Sequence, residues 1–167
     1  MNKIRFIVIA FLASTMFFAC KPEAYKEVGE PANNITAITG SWQLAKVVQV
    51  DKDAENKGFP FKEADLTSLF PYTEFRLTLN SANGAPTTFT TTPGNSPRII
   101  TLASGTWSVD DIKTPKVITL TSGSTSQKIT LGAYPNAVSR RLKVSLERRS
   151  AADDKLLIGY SYEFVKQ

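Results

Sequence analysis

The chain carries one thiol, Cys20, and no histidine among its 167 residues, and those two facts decide most of the chemistry open to it. Imidazole is the usual general base, the partner of serine and cysteine nucleophiles, and the commonest transition-metal ligand. Without it, and with a single cysteine, imidazole-dependent triads and thiolate zinc sites are excluded. Carboxylates remain. Two acids converging on a cleft about 5 to 10 Å apart can hydrolyse glycosides, but the neighbouring pairs Asp110-Asp111 and Asp153-Asp154 diverge along extended backbone and read as turn formers. The DAE at 53–55 lacks the other ligands and the glycine of a calcium loop. SGSTS at 122–126 is poor in glycine and leads into a strand, where a phosphate loop needs a helix. The expectation is a non-enzymatic chain with no catalytic residue, no metal and no cofactor.

Two other constellations carry binding chemistry. In SRRLKVSLERRS, Arg141, Lys143 and Arg149 share a parity, with Arg140 and Arg148 at the ends. Such a stripe either meets an anionic partner or keeps a solvated strand face from pairing with other chains, and Glu147, Asp153 and Asp154 dilute its field. The formal charge of +5, which falls to +3 without Lys3 and Arg5, is too small to argue for nucleic acid by itself. The second constellation is aromatic. Trp42, Phe75, Phe89, Trp107, Tyr160, Tyr162 and Phe164 fall on alternating positions that point to one face. Of these, Trp42, Phe75, Trp107, Tyr160 and Tyr162 are the candidate ligand-binding residues, since a buried phenol needs a hydrogen-bond partner that a bound molecule can supply. Core packing is the competing role for all of them.

The elements that would position those side chains are strands. Trp42, Leu44, Val48 and Val50 share one parity of the first, with Lys46 as the exception. Phe75, Leu77 and Leu79 alternate before the turn dipeptide Asn83-Gly84, and PTTFTTT, GTWSV, KVITLTSG and QKITLGAYP follow with turn residues between them. Leu142, Val144 and Leu146 alternate in the next segment, and KLLIGYSYEFVK closes the chain. Eight strands at this spacing predict an all-β fold, an eight-stranded antiparallel up-and-down barrel, with a sandwich as the alternative. One short helical insert is expected at FKEADLTSLF, 61–70, ended by Pro71. A barrel of eight strands is just wide enough to be filled by side chains or to hold one small ligand.

Ahead of the strands, Lys3 and Arg5 precede an apolar run at 6–19 that stops at Cys20. That is the layout of an export signal, and it is too short for a span of about 20 residues. An incidental cysteine after an ordinary cleavable signal is the alternative, although a single free thiol is unusual in an exported protein. The Phe17-Phe18-Ala19-Cys20 box resembles the signal box of bacterial lipoprotein precursors. The resemblance implies that residues 1–19 are a signal peptide removed on maturation and that Cys20 becomes the lipidated first residue. Its acyl chains would make the membrane a partner, because several chains together hold permanently where one does not. Lys21 where inner-membrane retention uses Asp implies the outer membrane, on its periplasmic or cell-surface face. Residues 20–38, with two prolines, one glycine and no sustained period, read as a tether, and 39–167 as the domain.

Gly40-Ser41-Trp42 resembles the Gly-x-Trp signature of lipocalins, and it recurs as Gly105-Thr106-Trp107. With YTEFRLTLN, the Asn-Gly turn and the closing YSYEF, the pattern is similar to the lipocalin-like domains of Gram-negative envelope lipoproteins. It implies a lipid-anchored protein that binds a small apolar or amphipathic ligand at the barrel mouth. The alternative is an interaction module whose filled barrel uses its loops, including 53–70, to dock another envelope protein or a glycan.

Overall fold

Period-two alternation that buries one side of a strand sets its register, and strands of that kind satisfy all their backbone groups by closing into a ring. A computed structural model describes residues 33–135 and 139–167 and shows that ring. Its strands are β1 (Gly40–Asp51), β2 (Glu63–Asp65), β3 (Arg76–Ala82), β4 (Ala85–Thr92), β5 (Ser104–Val109), β6 (Val117–Ser122), β7 (Thr125–Ala133), β8 (Arg141–Arg149) and β9 (Leu156–Lys166). Apart from β2, neighbours in sequence are neighbours in the sheet, every pair is antiparallel, and β1 pairs with β9 to close an eight-stranded up-and-down barrel. The all-β barrel expected from the alternation is therefore the fold. β2 lies outside the ring and pairs only with the far half of β1. Cys20 and the expected signal lie outside the described residues, and among those described no helix is long and apolar enough to cross a membrane.

One end of the barrel is plugged. Helix α1 (Asn34–Ile38) is capped by Asn33, whose side chain accepts from the Ile35 and Thr36 amides, and Ile35 and Ile38 are fully buried. The Ile38 carbonyl accepts from Trp42 Nε1 at 2.7 Å, and Asn34 Nδ2 donates to the Lys113 carbonyl at 2.7 Å, tying the plug to β1 and to the β5–β6 loop. Residues 34–38 had read as the end of a tether. They belong to the folded unit, because two apolar side chains on a single turn find a hydrophobic floor there. Gly40 then turns the chain into β1 at φ +134°, and a Cβ on it would meet Lys166 Cε at 2.8 Å. Both conditions call for glycine.

The opposite end receives the long connection from β1 to β3. The expected helix at 61–70 is absent. A one-turn helix, α2 (Lys52–Asn56), comes earlier, capped by the Asp51 carboxylate, and Glu63–Asp65 extends as β2. The reason is β1 itself, whose twelve residues outreach β3, so that Val48, Gln49 and Val50 offer pairing groups that β2 takes. The Lys46 exception also has a cause. The β1–β9 register shifts between Leu44 and Lys46, a bulge that moves the inward parity from Trp42 and Leu44 to Val47 and turns Val48 and Val50 outward. A 3-10 turn, Tyr72–Glu74, then leads into β3.

If the plug is part of the fold, Ile35→Ala and Ile38→Ala should each lower the unfolding free energy by about 2–5 kcal/mol, the range for truncating a buried isoleucine. Urea unfolding checks this, and midpoints equal to wild type would return residues 34–38 to the tether.

Candidate functional site

The barrel interior sorts the five candidate aromatics into two groups. Trp42, Phe75 and Trp107 are packed into the core. Trp42 donates to the Ile38 carbonyl, and the Lys166 ammonium sits 5.5 Å from its ring centroid, a cation–π contact that covers it from the last strand. Phe75 meets Phe164 edge to face at 6.2 Å. Trp107 donates to the Asn80 carbonyl at 2.6 Å, and Gly105 two residues earlier lets β6 approach so closely that a Cβ there would fall 2.0 Å from the Thr121 carbonyl oxygen. Each indole N–H already has a backbone acceptor, so these rings offer a ligand neither space nor a free donor.

Tyr160 and Tyr162 are different. Their rings stack at 6.2 Å with an interplanar angle of 18°, and a third phenol, Tyr72, joins them from the 3-10 turn. The register places Tyr162 between Val47 and Val144, and Tyr160 between Gln49 and Leu146, in the layers toward the end opposite the plug. Tyr72 is 8% exposed and Tyr162 is 6% exposed. Phe70 packs edge-on against Tyr72 at 5.7 Å, and Leu66 and Leu146 border the core here. Burial, reinforced by the neighbouring Tyr72 and Tyr160, pushes the Tyr162 phenol far above its ordinary range, and burial does the same more mildly to Tyr72. Both therefore stay protonated donors at any physiological pH. Among the described residues, none of the three hydroxyls has a hydrogen-bond partner in the protein, yet none is sealed from solvent. Sequence alternation had offered Tyr160 and Tyr162. It missed Tyr72, which follows Pro71 outside any strand.

A shallow cleft of about 100 Å³ lies on the outer wall, where Gly159 leaves a gap between β1, β8 and β9. Val50, Ser145, Glu147 and Ser161 border it, and the Lys52 stem crosses it. Leu146 and Tyr160, which belong to the tyrosine layer, also line it.

The acids act as backbone partners. Asp110 Oδ1 accepts from the Lys116 and Val117 amides at 2.8 and 3.0 Å, bonds that hold its carboxyl below the usual range, and Asp111 Oδ1 accepts from the Lys113 amide at 2.8 Å. Asp53 pairs with Lys57 and Lys155, and Glu55 with Lys52. Among the described residues no group of three or more acids is placed to hold a metal ion. The basic stripe is partly neutralised. Arg141 and Lys143 both reach Glu163 across β8 and β9, and Arg149 pairs with Glu147 and Asp154.

Residues 19–145 match the family model of a domain of unknown function, DUF5004. No curated protein and no solved structure matches the chain.

Glu163 makes the stripe pH-sensitive. Its side chain is 16% exposed. Burial raises its pKa, but the hydrogen bonds and charges of Lys143 and Arg141 outweigh that and hold it below the ordinary glutamate value. A depressed folded pKa adds stability above the unfolded value of about 4.3, and that stability is lost as pH falls through the folded value. Glu163→Gln should therefore unfold at lower urea than wild type at pH 7, by up to about 1 kcal/mol, with the gap closing as pH falls through the depressed folded value. A gap independent of pH would show that the network contributes no such linkage.

Proposed function

The chain belongs to the DUF5004 family, and from the three phenols at the end opposite the plug we propose that it is a non-enzymatic, lipocalin-like binding protein for a small apolar or amphipathic molecule. The observation that carries this reading is the convergence of Tyr72, Tyr160 and Tyr162, three phenols in an apolar surround with no protein acceptor for their hydroxyls. A ligand's carbonyl, carboxylate or ether oxygen would take those donors, while its apolar part would rest on Val47, Leu66, Leu146 and Phe70. The plugged end supports the comparison with lipocalins. There a Gly-x-Trp opens the first strand beside a capping helix, and a cation from the last strand covers the tryptophan.

In this reading the protein is anchored in the outer membrane by acyl chains on Cys20, a residue outside those described. The described chain begins at the plugged end, and the tyrosines lie toward the other.

Two measurements test these proposals. An amphipathic dye, anilinonaphthalene sulfonate, should bind the wild-type chain at one saturable site. Replacing all three tyrosines by phenylalanine should weaken it by about tenfold or more, given about 0.5–1.5 kcal/mol per hydrogen bond, without lowering the urea midpoint. Equal affinity in the triple variant would contradict the site. Cys20→Ser should move the protein from the membrane to the soluble fraction and abolish acyl labelling. Unchanged fractionation would contradict the anchor.

A further inference from the structure

The strand outside the ring has one side in use. β2 pairs with β1 through Val48↔Asp65, Gln49↔Ala64 and Val50↔Glu63, flanked by the Asp51 amide donating to the Lys62 carbonyl at 2.8 Å and the Leu66 amide donating to the Val47 carbonyl at 2.9 Å. Antiparallel residues alternate between those that bond the partner and those that bond the other way. Lys62 and Leu66 bond β1, so Ala64 shares their phase, and the backbone N–H and C=O groups of Glu63 and Asp65 point away from it. Among the described residues no backbone bond reaches those four groups. All three side chains of β2 are exposed.

Apolar surface frames this edge. Phe59 and Phe61 precede it at 55% and 94% exposure, and Leu69 and Phe70 follow it at 64% and 52%. Charged residues on an edge strand keep it from pairing at random, but that purpose does not call for four exposed large apolar side chains beside it. Such a grouping marks an interaction surface.

Charge chooses the occupant. Residues 52–75 hold five acids against three lysines, a local negative surplus on a chain of net charge +5. Lys52 and Lys57 are engaged by Glu55 and Asp53, Lys46 stands 3.7 Å from Asp65, and Glu63 has no ion pair among the described residues. A second copy adding antiparallel to the same edge would set Glu63 against Asp65, and like charges directly opposed are destabilising. We propose that the outer edge of β2 is a strand-addition site for an extended segment of another protein that alternates lysine or arginine with apolar residues. Its basic residues would lie opposite Glu63 and Asp65 on the outer face, and its apolar residues beside Ala64 and Leu66. This site shares Leu66 and Phe70 with the tyrosine layer, but it is argued from the free edge of β2 and does not rest on the ligand reading.

The test is an amide NMR titration of the full-length mature chain with a blocked heptapeptide alternating lysine and valine, and with its glutamate–valine counterpart. The lysine peptide should shift the Glu63 and Asp65 amides and weaken with salt, and the glutamate peptide should not bind. Phe61→Ser should weaken the lysine peptide at least tenfold. Glu63→Lys, an exposed change that leaves the β1 bonds intact, should reverse the preference between the two peptides. No shift within residues 62–66, equal binding of both peptides, or self-association through β2 in place of peptide binding would each overturn the proposal.

Discussion

The antiparallel register between β1 and β9, running from Trp42↔Lys166 to Asp51↔Ile158, is the constraint on which the rest of the molecule depends. It joins the first strand to the last, so the sheet has no exposed edge within the ring and its inward side chains must fill a closed interior. The same register sets Lys166 over Trp42 at one end and carries Tyr160 and Tyr162 past Gln49 and Val47 toward the other. The bulge between Leu44 and Lys46 lets one long strand serve both halves. Before it β1 packs as core against β3, and after it the outward residues face solvent while the pairing edge is left for β2.

The two ends differ in chemistry because their polar groups are satisfied differently. At the plugged end several polar groups are matched within the protein: the Ile38 carbonyl takes the Trp42 indole, the Lys113 carbonyl takes Asn34, and Asp110 takes two backbone amides. Tyr134 donates to the Pro115 carbonyl on the same side. At the other end three phenols and an apolar connection have not been matched in this way. The phenol hydroxyls have no partner in the protein among the described residues and keep contact with solvent, and the proposed binding site rests on that difference.

Much of this was legible in the alternation of the sequence. Each ring strand is buried on one side, so Leu142, Val144 and Leu146 announce a strand as clearly as Phe75, Leu77 and Leu79 do. What was not legible depended on tertiary partners. Nothing local shows that Gly105 is required by the Thr121 carbonyl, or that Val48 and Val50 turn outward after a bulge, although Lys46 was its trace. Helix α1 is too short for a 3.6-residue period to appear, and only the Asn33 cap hinted at it. The segment 61–70 has helix-compatible composition, yet an unfilled strand edge on β1 drew it into extended form. Tyr160 and Tyr162 were readable because they alternate within a strand, whereas Tyr72 reaches the same layer from a turn that carries no periodic signal.

Ring closure is the claim on which both ends rest, and backbone NMR tests it most directly. Cross-strand proton contacts between β1 and β9, from Trp42 opposite Lys166 to Asp51 opposite Ile158, should appear on both sides of the bulge, with amides along this seam among the slowest to exchange with solvent. Fast exchange along β1 and β9 without those contacts would mean an open sandwich, with no barrel end to plug and none to bind.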